Sequence, residues 1–203
     1  KLMSDSGCRL VLVGFESENP EGLKYLDKRR NYKYVWDKYR AVLKKFHAYN
    51  IGIAGGFMCG MDNDNLESFR ERKDFILENP FDGFAFTFCT PLPKTALFNK
   101  MECENRLLYN NFPHDWKKFN LGNITFKPSN YTPEVFFKAY LKEAREIHSI
   151  NVFVRKFFRT FMNTNIRTAV ATYVFLRHQH IFINNSFFLR FIENIYRKIH
   201  RLN

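Results

Sequence analysis

The sequence predicts an α/β fold: three successive strand–helix units with parallel strands, then a helical C-terminal extension. Two observations carry this expectation. Residues 9–17 hold an unbroken apolar run, Leu10 to Val13, closed by Gly14, the pattern of a parallel strand buried on both faces. Similar runs recur at residues 51–58 and 83–88, each followed by a helical period, and right-handed crossovers lay such strands side by side.

The first strand ends in a carboxylate and a hydroxyl, Glu16 and Ser17. In barrels of parallel strands, chemistry sits at the C-terminal strand ends, so Glu16 is the first functional candidate. The competing reading makes Glu16 and Ser17 caps for the next helix. Asn19-Pro20-Glu21 has the form of an N-cap, a proline at the first helical position and an acid in the first turn, predicting a short helix to about Asp27. A basic turn follows at Lys28, Arg29 and Arg30. A longer helix is expected over residues 34–49, with Val35, Tyr39, Val42, Leu43 and Phe46 on one face, ended by Asn50 and Gly52.

The second strand leads into Gly60-Met61-Asp62-Asn63-Asp64-Asn65. The Asp-x-Asp spacing resembles a calcium loop, but its glycine and later ligand positions are missing. A capping box from Asp64 to Glu67 is the expectation instead, opening a helix that stops at Asn79-Pro80. After the third strand, the two prolines of Cys89-Thr90-Pro91-Leu92-Pro93-Lys94-Thr95 hold an extended loop. A helix over 96–104 completes the third unit. Residues 105–131 read as irregular and aromatic. Thr132-Pro133-Glu134 opens a helix to about Ile150, and residues 151–203 keep a helical period broken near Asn163 and Asn184. The chain therefore divides into residues 1–131 and a basic helical extension, 132–203.

The net charge is +12, and residues 151–203 hold nine Lys/Arg against one acid, Glu193. Arg155, Arg159, Arg167, Arg177 and Arg190 lie among phenylalanines there. That asymmetry suits either an anionic partner or an amphipathic cap on the strand–helix units. Cysteines at positions 8, 59, 89 and 103 form no Cys-x-x-Cys pair, which leaves no cluster-binding loop and fits reduced thiols in the cytoplasm. No signal peptide and no membrane-spanning run is legible. The chain enters a strand almost at once, so part of the fold is expected upstream of Lys1.

With these loops placed, the sequence resembles the C-terminal half of the catalytic barrel of radical S-adenosylmethionine enzymes of the cobalamin-binding-domain type. Five pieces occur in that family's order: Ser6-Gly7-Cys8-Arg9; Gly14-Phe15-Glu16-Ser17; Gly56-Phe57-Met58-Cys59-Gly60-Met61-Asp62; Thr90-Pro91-Leu92-Pro93-Lys94-Thr95; and Arg106-Leu107, Trp116 and Phe126-Lys127-Pro128 before Thr132-Pro133-Glu134. Lys94 and Asn105 stand where the family carries glycine. The resemblance covers roughly residues 3–150.

It implies the last three βα units of a six-unit partial TIM-type barrel. It also implies an enzyme of the oxidoreductase/transferase kind that cleaves S-adenosylmethionine to a 5′-deoxyadenosyl radical for a radical or methyl-transfer reaction. The ligands of the 4Fe-4S cluster, and any cobalamin, would lie outside this chain, which alone would be inactive. Gly14, Glu16 and Ser17 would hold the ribose or methionyl groups, and Phe57, Met58, Gly60 and Met61 would lie against the adenine. Thr90, Pro91, Leu92 and Pro93 would wall the substrate side. The partners implied are the missing N-terminal half, or a separate cluster-binding chain, and a small-molecule or lipid substrate. The alternative is a truncated, inactive basic module for nucleic acid or anionic lipid. Of those two, nucleic acid is not expected, while a peripheral membrane contact through the basic C-terminal region stays open.

Overall fold

The computed structural model describes residues 1–17 and 35–184. The helix expected after Asn19, the basic turn at 28–30 and Arg190 lie outside the described residues. Within them the chain runs α1 (Leu2–Asp5), β1 (Leu10–Glu16), α2 (Val35–His47), β2 (Gly52–Cys59), α3 (Leu66–Glu78), β3 (Gly83–Phe88), α4 (Ala96–Cys103), a 3₁₀ turn (His114–Lys118), α5 (Pro133–Ile147), α6 (Ile150–Asn163) and α7 (Ile166–Asn184). The three strands form a parallel sheet in the order β1-β2-β3, as the βα alternation predicts. Asn50 ends α2 in the left-handed region at φ +56°.

One face of the sheet is packed. Phe15, Ile53, Phe57, Phe84, Phe86 and Phe88 point to the helices. Phe15 and Phe57 meet Phe81 edge-on at 4.8 and 5.4 Å. Tyr140 stacks on Phe86 at 5.1 Å, and Phe136 meets Phe88 at 5.4 Å. Sheet, α5 and Leu176 of α7 thus share one core. The opposite face differs from expectation. Leu12 is 63% exposed, Gly14 is exposed, and Gly56, Met58, Ala85 and Thr87 are only half-buried. The first strand is therefore covered on one side only, although its unbroken apolar run reads as doubly buried.

Two local expectations are corrected. Asn65, not Asp64, caps α3, in a capping box with Ser68 rather than Glu67. Asp64 is otherwise engaged. Its Oδ2 accepts the amides of Gly60 (2.8 Å) and Met61 (3.2 Å), and Arg72 donates to both its oxygens. That pair is fully buried. The helix read as continuous to Ile150 ends at Ile147, and α6 starts afresh after its N-cap residue, Ser149.

The C-terminal helices explain part of the basic bias. Lys156 is buried and donates to the carbonyls of Ile76 (3.2 Å) and Phe81 (2.8 Å). Arg159 donates to those of Asn79 (2.6 Å) and Phe81 (2.9 Å). Asp82 ties the same corner together, accepting from Thr160 (2.8 Å) and the Ile53 amide (2.7 Å) and pairing with His47 (2.8 Å). These cations cap the carbonyl end of α3. Lys156 and Arg159 are structural, so the partner-facing basic surface expected of this region cannot include Lys156.

Candidate functional site

The strand ends on the open face meet where β1 stops. The β1–β2 register slips between Gly14 and Glu16, a bulge of the kind that re-aims a side chain. Glu16 sits at φ +69°, and the Ser17 amide donates to the Phe15 carbonyl at 2.9 Å. These are features of the rarer, strained form of γ-turn. A non-glycine residue held at positive φ stores strain and marks a position the surroundings over-determine.

The bulge folds the Glu16 side chain back over Gly14. A Cβ on Gly14 would lie 2.5 Å from Glu16 Oε1 and 3.3 Å from its Cδ, so any side chain there would push this carboxylate aside. Gly14 pairs in register with Gly56, and a Cβ on Gly56 would rest 3.6 Å from the Gly14 Cα. Met58 follows on the same face. With Ala85 and Thr87 of β3, these residues make a shallow floor of small side chains beside one carboxylate. The loop expected to form a wall follows β3. Thr90 is buried and donates to Phe88 O (3.1 Å), Pro91 is buried, and Leu92 and Pro93 are exposed. Leu92 O accepts from the Thr95 hydroxyl at 2.7 Å.

Not every residue singled out in the sequence reaches this floor. Ser17 is fully buried. The Phe57 ring packs with Phe15, Phe75 and Phe81 in the core, so its main chain alone can meet a ligand. Met61 is buried with Cys89, Met101 and Phe126. Gly60, at φ +90°, lies under the Phe136 ring, where a Cβ would clash at 2.6 Å. Gly60 and Met61 thus shape the loop through Asp64. Conversely, Gly56, Ala85 and Thr87 were absent from the site residues read from sequence. Their signal was present: small residues alternating with phenylalanine along β3, and adjacent glycines at 55 and 56 in β2.

Behind the floor, Asp62 is held by Arg106, by Lys100 (3.3 Å) and by the Ser129 hydroxyl (2.9 Å). Asn130 donates to the carbonyls of Asp62 and Asp64. The segment read as irregular thus clasps the β2 loop, with a bridge between Leu107 and Phe126. Burial, then the charges of Asp64, Asp62 and Glu16, push the Cys89 thiol up to about 12, which keeps the free thiol protonated and a poor nucleophile. Among the described residues no group of three or more His, Cys, Asp or Glu could hold a metal ion. All four cysteines are free. The donors present do not fit an iron–sulfur cluster. What remains is a binding arrangement: a carboxylate that accepts two hydroxyl donors beside a floor open to a flat group.

Sequence comparison gives that arrangement a context. No protein-family model matches the chain. Over 156 residues it is 31% identical to bacteriochlorophyllide d C-12(1)-methyltransferase of Chlorobaculum tepidum, covering 77% of this chain and 32% of that protein. Over 172 residues it is 25% identical to the C-8(2)-methyltransferase of the same organism, covering 84% and 37%. Hopanoid C-2 methylase of Rhodopseudomonas palustris matches at 24% over 154 residues, 69% and 27% of the two chains. The chain is similar to methyltransferases. It spans about a third of the length of the curated relatives it matches.

Proposed function

We propose that this chain is the C-terminal part of the catalytic barrel of a radical S-adenosylmethionine methyltransferase of the cobalamin-binding type. The cluster ligands, and any cobalamin, lie in a segment or partner outside this sequence. The observation that carries the reading is the strained carboxylate of Glu16, seated over Gly14 at the C-terminal end of a parallel strand. The motifs in family order and the methyltransferase names of the relatives support it.

On this reading Glu16 accepts hydrogen bonds from the ribose diol or the methionyl amine. Gly56 lets the nucleoside approach the backbone, and Met58 packs against the adenine. The chemistry S-adenosylmethionine supplies when bound is methyl donation and reductive cleavage of its sulfonium. This chain's residues orient it and keep water from one side. The substrate is a bulky, largely apolar small molecule of the tetrapyrrole or polycyclic lipid class, by analogy with the relatives' names. Leu92 and Pro93 line its side.

Saturation-transfer NMR of S-adenosylmethionine with this chain tests the binding half directly. Glu16→Gln should weaken binding on the order of tenfold, the loss of one charge-assisted contact. Gly14→Ala should do the same by displacing the carboxylate. Unchanged affinity in both variants sinks the assignment.

A further inference from the structure

Helices α6 and α7 form an antiparallel hairpin joined through Thr164 and Asn165. Its inner seam is aromatic, with Tyr173 edge-on to Phe153 at 4.9 Å and to Phe157 at 6.1 Å. Its outer face is apolar and open. On α6, Val154, Phe158 and Met162 follow one another at helical spacing, with Phe158 59% and Met162 79% exposed. On α7, Ile166, Val170 and Val174 do the same. Large exposed apolar patches mark interaction surfaces.

The charge around the patch identifies its partner. Residues 147–192 contain no Asp or Glu. Arg155, Arg167 and Arg177 are exposed on the two helices, while Lys156 and Arg159 face inward. A second copy of the chain would bring Arg167 and Arg177 of two such faces together, like charge on like, with no Asp or Glu on either helix to neutralise them. An apolar helical face whose own charged residues are all cations is the pattern that lies at a lipid headgroup boundary. No described helix is long and apolar enough to cross a membrane.

We infer that the outer face of the α6–α7 hairpin seats on an anionic lipid surface, with Phe158 and Met162 entering the acyl boundary and Arg167 and Arg177 meeting headgroup phosphates. This does not depend on the reading of the strand-end site. Vesicle co-sedimentation tests it, using the 203-residue chain with vesicles of phosphatidylcholine alone or mixed with phosphatidylglycerol. Light scattering of the free protein accompanies it. The chain should be monomeric and partition onto the anionic vesicles on the order of tenfold more strongly, and less so as salt rises. Phe158→Asp or Val170→Asp, both at exposed positions and checked for folding by circular dichroism, should abolish partitioning. Absence of partitioning, equal partitioning to neutral vesicles, or partitioning unaffected by both variants overturns the inference. A dimer that Phe158→Asp dissociates also overturns it, making a second copy the occupant.

Discussion

Two long side chains, Glu16 and Lys94, occupy the left-handed region at φ +69° and +64°, and they separate strain with a task from strain without one. Lys94 is exposed in the loop before α4, and no hydrogen bond or ion pair among the described residues rewards its conformation. Lys94→Gly should therefore stabilise by about 1 kcal/mol, raising the melting temperature by roughly 2–4 °C and leaving ligand affinity unchanged. Glu16→Gly should also stabilise, but S-adenosylmethionine binding should fall with the carboxylate lost, the trade expected when strain serves a site. Differential scanning fluorimetry beside a binding titration reads both. A destabilised Lys94→Gly would mean that the turn is not strained as drawn. The buried Asp64–Arg72 pair is a third kind of residue, wholly structural. Arg72→Met leaves Asp64 buried with only the Gly60 and Met61 amides for company, and denaturant titration should read a loss of about 3–5 kcal/mol.

At the scale of elements, the contact of α6 with the end of α3 makes stability depend on pH. Burial, then repulsion from Arg159, pushes the Lys156 ammonium well below its ordinary 10.5, with Asp82 opposing. The unfolded chain binds that proton more tightly than the folded one. Stability from this group therefore rises with pH between the folded value and about 10.4. Urea unfolding at neutral and alkaline pH should show the rise, and Lys156→Met should flatten it; an equal slope in the variant refutes the account. The three strands, their order and most helices were legible because apolar period and capping residues are local signals. Lys94 and Asn105, standing where the resembling family has glycine, do fall at positive φ. The capping box slipped by one residue because Asp64 is claimed by amides and by Arg72 from another turn. The one-sided burial of β1 was illegible for a similar reason: an apolar run does not state what layer, if any, lies on each side. Of the candidate site, the place of Gly14 and Glu16 at the end of β1 was legible from position and residue type. That Phe57 and Met61 face away depends on which face each strand residue takes, and that is fixed by packing.

Taken whole, the described chain has one main core, in which the sheet, α5 and α7 interleave. Although the sequence suggests a division near residue 131, heat or denaturant should unfold it in a single transition by circular dichroism and tryptophan fluorescence alike. Two separated transitions would instead support a division near residue 131. Thiol titration provides a second global reading. Exposed Cys103 should react at once, while Cys59 and Cys89, both buried, should wait for unfolding. The bare face of the sheet has a further thermodynamic consequence. Glycine and alanine carry little apolar area, so a small ligand settling on Gly14, Gly56 and Ala85 should change the heat capacity only slightly. A further layer of protein closing over Leu12 and the length of β1 would change it far more. Calorimetry over a range of temperatures would thus distinguish a nucleoside from a further protein layer as the natural cover of that face.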